Sequence, residues 1–300
     1  MHTVWYFHYA QPDWHERNLY LWKEVAKSWE GHNFELINLY ERGAARRLER
    51  SGNSADIAYI TNFQCSDVLE RSVLDITKKA KFRLFITGGG WRRPDWVKRS
   101  LEGVKAIKAD LVCLTHLPHE DKFKKIHSRV HHVGLGFDPK VFYPAPNEER
   151  FLSMVFCGNP AMGRRKNLER LIDTWGLRII DFRQGLTHAQ MSAYLRHARI
   201  GWNQIGRMDG VSCNLRVWEI LGCGTLLFCN QSKHVPLKDG VHYIAWKDPD
   251  DMMKKAKYWL APANEEERAA IALNGLNEAL KKHTWAHRAQ EYKSLILDSV

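Results

Sequence analysis

No stretch of the 300-residue sequence approaches the ~18 consecutive apolar residues that a membrane-crossing helix needs, so no membrane span is expected. The opening residues also lack the charged start and apolar run of a signal peptide. Secretion is therefore not expected, and a cytoplasmic location is. Cysteine is sparse: six residues, at 65, 113, 157, 213, 223 and 229, each stand alone within apolar runs with no CxxC spacing. That excludes a disulfide framework and reads as reduced core thiols. No Gly/Ser/Pro tract interrupts the chain, and 44% hydrophobic with 26% charged residues is ordinary for a chain that folds throughout. No fixed-period repeat is present, which sets solenoids aside. The fifteen histidines include no H-x-x-E-H arrangement, and Asp248-Pro249-Asp250-Asp251 is better explained as a helix cap than as a cation site. No bound metal is expected.

What the sequence has is basic charge. The formal net charge is +11, divided as +5 over residues 1–150 and +6 over 151–300, so no single tail accounts for it. A balance of this sign favours polyanionic partners, and it also serves solubility. In the first half, short β-branched or aromatic runs at 3–9, 34–39, 55–60, 82–87, 111–114 and 131–134 alternate with charged, helical stretches. A parallel α/β sheet requires this alternation. Leu19, Trp22, Val25, Ala26 and Trp29 recur at helical spacing and read as a core face. Residues 133–146 form a strand followed by a Gly- and Pro-rich turn, an interdomain linker. A second alternation follows, with strands expected at 151–157, 178–182, 200–204 and 225–229 and helices at 168–175 and 188–196. Two domains are expected, 1–146 and 147–300, with the last helix crossing back to the first.

The chemistry is concentrated at residues 210–230, GVSCNLRVWEILGCGTLLFCN: a small polar loop, a helix from Leu215 to Leu221, a Gly-Cys-Gly stop and a buried strand. A helix start presents unsatisfied amides and the positive end of the dipole, a natural anion site. Ser212, Cys213 and Asn214 would face such an anion. Arg216 lies in the first turn, and Glu219 follows three residues later on the same face. A carboxylate there suits a ribose diol. The plainer reading is a capped helix bearing an i,i+3 ion pair, and spacing alone does not separate the two.

The segment resembles the C-terminal signature of GT-B glycosyltransferases (the group 1 C-terminal domain), in particular the spore-maturation CgeB-like branch, in Arg216-Val217-Trp218-Glu219 and the Gly222-Cys223-Gly224-Thr225 turn. Four other stretches are similar to the family in order and distance: Gly136-Phe137-Asp138 to Phe142-Tyr143-Pro144, Phe156-Cys157-Gly158-Asn159 with Arg164-Arg165-Lys166, Asp248-Pro249-Asp250-Asp251-Met252, and His283-Thr284-Trp285-Ala286-His287-Arg288. Together they span residues 134–300. The resemblance implies an α/β GT-B fold, two Rossmann-like domains facing a cleft, with donor bound by the second. It assigns Gly158, Arg164, Arg165, Lys166, Ser212, Cys213, Asn214 and Arg216 to a nucleotide diphosphate sugar, a UDP-sugar being favoured, and Glu219 to its ribose. It implies no obligatory metal. One position departs: retaining family-four relatives carry a Glu eight residues before the ribose Glu, and here that place is Val211, with Asp209 nearby.

The first domain would then hold the acceptor. Gly88-Gly89-Gly90-Trp91 follows a strand end, where α/β folds place ligand loops, although a plain tight turn fits as well. Residues 75–108 hold ten Lys or Arg against Asp75, Asp95 and Glu102, interleaved with Trp91 and Trp96. The mixture suits an anionic acceptor, including DNA, and equally a solvated helix face. Phage DNA-base glucosyltransferases are similar in architecture, and a hydroxymethylated DNA base is slightly favoured over a glycan or protein hydroxyl. The alternative class is a non-catalytic nucleic-acid-binding protein with the same fold. For the base that takes the acceptor proton, Asp95 is the first choice, with Asp13, His15 and His116 also following expected strand ends.

Overall fold

The computed structural model describes residues 1–8, 16–38, 48, 52–62, 71–88, 94–117, 119–145, 149–161, 163–181, 185–205, 213–232 and 234–300. The chain divides into two compact units, one of residues 1–134 with 285–300 and one of residues 135–284.

The first unit is built on six parallel strands: β1 (Thr3–His8), β2 (Asn33–Asn38), β3 (Ala55–Asn62), β4 (Ala80–Thr87), β5 (Leu111–Leu114) and β6 (Val130–His132). Their order is β2-β1-β3-β4-β5-β6, and each neighbouring pair is parallel. A parallel sheet covered on both faces buries its strands on both sides, and all four side chains of β5 are buried. The crossovers run through α1 (Glu16–Ser28), α2 (Arg71–Thr77), α3 (Pro94–Ala106) and α4 (Glu120–Lys124). Val25 of α1 and Trp29 just beyond it are buried and Trp22 and Ala26 half-buried, as a core face requires. The Trp29 indole donates to the Tyr59 hydroxyl of β3 at 2.9 Å. The last helix, α10 (Trp285–Leu297), belongs to this unit. There Lys293 Nζ donates to the Ser28 carbonyl at 2.6 Å and lies 4.6 Å from the Trp29 ring centre.

The second unit holds five parallel strands, β7 (Leu152–Cys157), β8 (Arg178–Ile180), β9 (Ala198–Asn203), β10 (Leu226–Asn230) and β11 (Ile244–Trp246), in the order β11-β10-β9-β7-β8. Helices α5 (Arg165–Trp175), α6 (His188–Arg196), α7 (Leu215–Gly222), α8 (Pro249–Leu260) and α9 (Glu265–Lys282) accompany them. Met154, Phe156, Ile200, Trp202, Leu226 and Phe228 form its core. Trp202 stacks on Trp246 with ring centres 6.0 Å apart, and its indole N–H points at Met252 Sδ, 3.4 Å away. Asp248 caps α8, its Oδ1 accepting from the amides of Asp250 and Asp251 at 2.9 Å each, with Pro249 in the first turn. The acidic run is therefore a helix start.

The strand order fixes where a ligand can sit. In the second unit the chain passes from β7 to β8 on one side and then to β9 on the other, so the winding reverses between β7 and β9. In open α/β sheets the crevice for ligands opens at the carboxyl ends of such a pair. In the first unit the corresponding reversal lies between β1 and β3.

Candidate functional site

At the carboxyl end of β7 the backbone stops at Gly158, whose N–H donates to the Ile180 carbonyl of β8 at 2.8 Å. A Cβ on Gly158 would lie 2.9 Å from Arg216 Cζ, 3.0 Å from its Nη1 and 2.9 Å from Phe156 Cζ. Only glycine leaves room for that guanidinium. The Phe156 ring is flanked by two cations, Arg216 Cζ at 5.6 Å and Arg164 Cζ at 5.9 Å from its centre. The switch point of the second unit is thus electropositive and desolvated on one side.

Helix α7 brings the remaining residues. Arg216 and Glu219, on one face, are 9% and 2% exposed, so both ionisable groups are held in the protein rather than in bulk water. Asn214 occupies the cap position of α7 with extended backbone, yet its side chain makes no capping hydrogen bond. Instead its amide pairs reciprocally with that of Asn203 at the end of β9, at 3.2 and 3.3 Å. Cys213 is half-buried. Ser212, Val211 and Asp209 lie outside the described residues.

The basic trio separates. Arg164 is 3% exposed and donates through Nε and Nη2 to the Gln204 carbonyl at 2.9 and 2.8 Å, bracing the chain just beyond β9. Arg165 and Lys166 are exposed in the first turn of α5, Arg165 pairing with Glu169 at 2.8 Å. Asn230, at the end of β10, accepts from the Ile205 amide at 2.6 Å. Sequence reasoning missed Asn203 and Asn230; each is the polar residue that ends a buried apolar strand, and that is the signal that could have found them.

Beneath α7 three of the sequence stretches meet. Trp218, 2% exposed, stacks on His283 with ring centres 3.8 Å apart and planes 12° from parallel. The His283 carbonyl accepts from the Phe137 amide at 3.1 Å. A Cβ on Gly222 would lie 2.5 Å from the Phe137 ring. Phe137, Trp218, Gly222 and His283, from three of those stretches, therefore form one packing cluster. At the other end of α7, Arg150 donates to the carbonyls of Gly224 at 2.8 Å and Ala198 at 2.6 Å and to Thr225 Oγ1 at 2.8 Å.

In the first unit, Asp95 is exposed in the first turn of α3. His116 is buried, with Nδ1 2.9 Å from Thr115 Oγ1. Asp13, His15 and residues 89–93 lie outside the described residues. Of the basic residues in 75–108, Lys78 pairs with Asp75, Lys81 with Asp56, Arg83 with Asp110 and Lys98 with Glu102. Histidines stand four apart at His127 and His131 and again at His283 and His287, but no group of three His, Cys, Asp or Glu side chains among the described residues is placed to hold a metal ion. The five described cysteines are free thiols. Among the described residues no helix is long and apolar enough to cross a membrane.

Residues 148–294 match the family model described as glycosyl transferase-like. The chain has the GT-B fold, and its second half matches a family of glycosyltransferases. Solved structures agree on the architecture over the whole chain. Anabaena HepE, in complex with UDP and glucose, aligns with a TM-score of 0.68 at 10% identity over 100% of both chains. A Rickettsia africae glycosyltransferase gives 0.65 at 10% identity over 99% of this chain and 98% of that one. The sucrose-phosphate synthase of Thermosynechococcus elongatus gives 0.64 at 11%, again over 99% and 98%. At such identity these likenesses speak for the fold. No curated protein matches the sequence.

Proposed function

We propose that the chain is a glycosyltransferase that takes a sugar from a UDP-sugar bound in the second unit and transfers it, in the cytoplasm, to a hydroxyl of an anionic acceptor held by the first. The observation that carries the reading is the pairing of two guanidiniums, Arg164 and Arg216, around Phe156 beside Gly158, with buried Glu219 one turn along α7. A leaving diphosphate develops charge that fixed cations and helix-start amides stabilise. Arg216, the amides of 212–214 and the exposed Arg165 and Lys166 are the groups for it, while Arg164 acts mainly by bracing Gln204. Glu219 is assigned the ribose diol. The complex of HepE with UDP favours uridine as the base.

In an inverting transfer the acceptor oxygen attacks the anomeric carbon. The bond from that carbon to the diphosphate breaks with its electron pair going to the diphosphate, and the hydroxyl proton passes to a base. Asp95, exposed at a helix start, is better placed to meet an acceptor than His116, which is buried against Thr115; Asp13 remains the further candidate. Among acceptors, a hydroxymethylated DNA base is tested first because of the +11 charge. The four carboxylate pairings within and around residues 75–108 reduce the cationic surface available for it, which keeps glycan hydroxyls in the comparison.

The test is UDP-dependent thermal stabilisation in the wild type and in Glu219→Gln, an isosteric change that removes the charge. Stabilisation by UDP that is lost in the variant is the expected result; equal stabilisation in both overturns the donor assignment. Transfer of labelled sugar to glycans and not to hydroxymethylated DNA would reverse the acceptor preference, and full activity in Asp95→Asn would remove Asp95 as the base.

A further inference from the structure

Asparagine at a helix cap position is there, in most helices, to accept from the amide two or three residues on. Asn214 stands in that position, with the extended backbone the role requires (φ −87°, ψ 162°), and does not perform it. Its carboxamide is turned back onto Asn203, each side chain donating to the other's oxygen at 3.2 and 3.3 Å.

Asn203 is fixed for this task. It is fully buried at the carboxyl end of β9, and its Nδ2 also lies 3.4 Å from the buried Cys229 Sγ of β10. The next two residues are tied down as well, Gln204 by Arg164 and Ile205 by Asn230. Asn203 therefore cannot follow Asn214 if the latter swings toward α7. The pair bridges the strand end at the switch point to the start of the helix that carries Arg216 and Glu219.

We infer that Asn203 is a positioning residue that holds the Asn214 side chain out of the cap, so that the first turn of α7 meets the diphosphate of the donor instead of its own asparagine. The inference rests on the reading of the second unit as a nucleotide-sugar site. A capping side-chain oxygen and a phosphate oxygen compete for the same end of the same dipole, so a cap that closed would be lost to the ligand. The arrangement also accounts for a polar residue buried at the end of an otherwise apolar strand, where an unpartnered amide would be costly.

The consequence has a sign that a purely structural role does not share. Asn203→Ala frees Asn214 to cap α7, so affinity for UDP falls by about fivefold, the ratio that a typical cap of about 1 kcal/mol corresponds to, whereas affinity for uridine, which has no diphosphate, is unchanged. The double variant Asn203→Ala/Asn214→Gly has no side chain to close the cap and recovers UDP affinity. Isothermal titration of the full chain with UDP and with uridine, for wild type, single and double variants, reads all three. Loss of UDP and uridine binding together in Asn203→Ala, unchanged UDP binding in it, or a double variant weaker than the single, each overturns the inference while leaving the donor site standing. Wild-type protein that binds neither UDP nor uridine overturns the donor reading, and the inference with it.

Discussion

Gly158→Ala tests the geometry of the proposed donor pocket with one methyl group. The backbone at Gly158 is not in the left-handed region that side chains avoid, so an alanine there has no intrinsic conformational objection; the cost is spatial. The new Cβ would stand 2.9 Å from Arg216 Cζ and 2.9 Å from Phe156 Cζ, roughly an ångström inside ordinary contact between carbon atoms. Phe156 cannot retreat, being fully buried in the core of the second unit. Arg216 can move only by leaving its place over that ring. Overpacking of this kind costs about 1–3 kcal/mol, which for a unit of this size lowers the melting temperature by roughly 2–4 °C per kcal/mol. The same displacement takes the guanidinium away from the place proposed for the diphosphate, so stabilisation by added UDP should fall by more than the melting temperature alone explains. Differential scanning fluorimetry with and without UDP measures both. Adding Arg216→Ala to Gly158→Ala should return part of the lost stability, because one of the two clashing partners is gone. An unchanged melting temperature together with an unchanged UDP response would refute the close approach.

Three further outcomes follow from the second unit. Arg150→Ala removes the donors to Gly224 O, Ala198 O and Thr225 Oγ1; hydrogen bonds to a charged group of this kind are worth about 1.5–3 kcal/mol, and a urea midpoint that does not fall would show that the brace is idle. Trp218→Ala leaves a cavity against His283 and should cost about 3–5 kcal/mol, with Trp218→Phe keeping much of it by retaining an aromatic face; equal losses in both would deny the stack a role. Burial pushes the thiols of Cys223 and Cys229 up to about 12, whereas in the unfolded chain a thiol ionises near ~8.5. Above that pH the unfolded state sheds protons that the folded state keeps, so stability falls as pH rises toward 12, by up to about 1.4 kcal/mol per pH unit for each thiol. Urea midpoints at rising alkaline pH should show a shallower decline in Cys223→Ala/Cys229→Ala, and an identical slope would refute the linkage.

The strands were legible because parallel strands covered on both faces must be written as unbroken apolar runs. Residues 111–114 and 225–229 were placed within one residue for that reason. Strand β11, only Ile244–Trp246, was not anticipated: three residues after a turn-rich stretch carry no periodicity to read. Helix α7 was found almost to its ends from its polar start and Gly-Cys-Gly stop. The roles inside the site were harder, and Arg164 shows why. Arg164-Arg165-Lys166 reads as one basic cluster, but Arg164 stands four residues before Leu168 and seven before Leu171, on the face that α5 buries. Helical phase alone would have sent Arg164 inward and the other two to solvent.

Asn214 is a different case, because local sequence offered a cap role that its side chain does not adopt. Its partner Asn203 lies in another element, and the sequence between them carries no periodic pattern. Only the strand order, which sets β9 beside β7 and under the start of α7, brings the two amides together. The same holds for Trp218 and His283, far apart in sequence and 3.8 Å apart as stacked rings. Phe137, Trp218 and His283, one from each of three family-like runs, each supply one wall of the packing around α7. A conservative change in any one of them, one that opens no large cavity, should therefore appear first as altered orientation of Arg216 and Glu219, and only second as loss of stability. In a series of conservative substitutions at Phe137, Trp218 and His283, UDP affinity should fall before the urea midpoint does. A series in which stability falls first, with affinity preserved in the folded fraction, would mean that the cluster supports the unit without aiming the site.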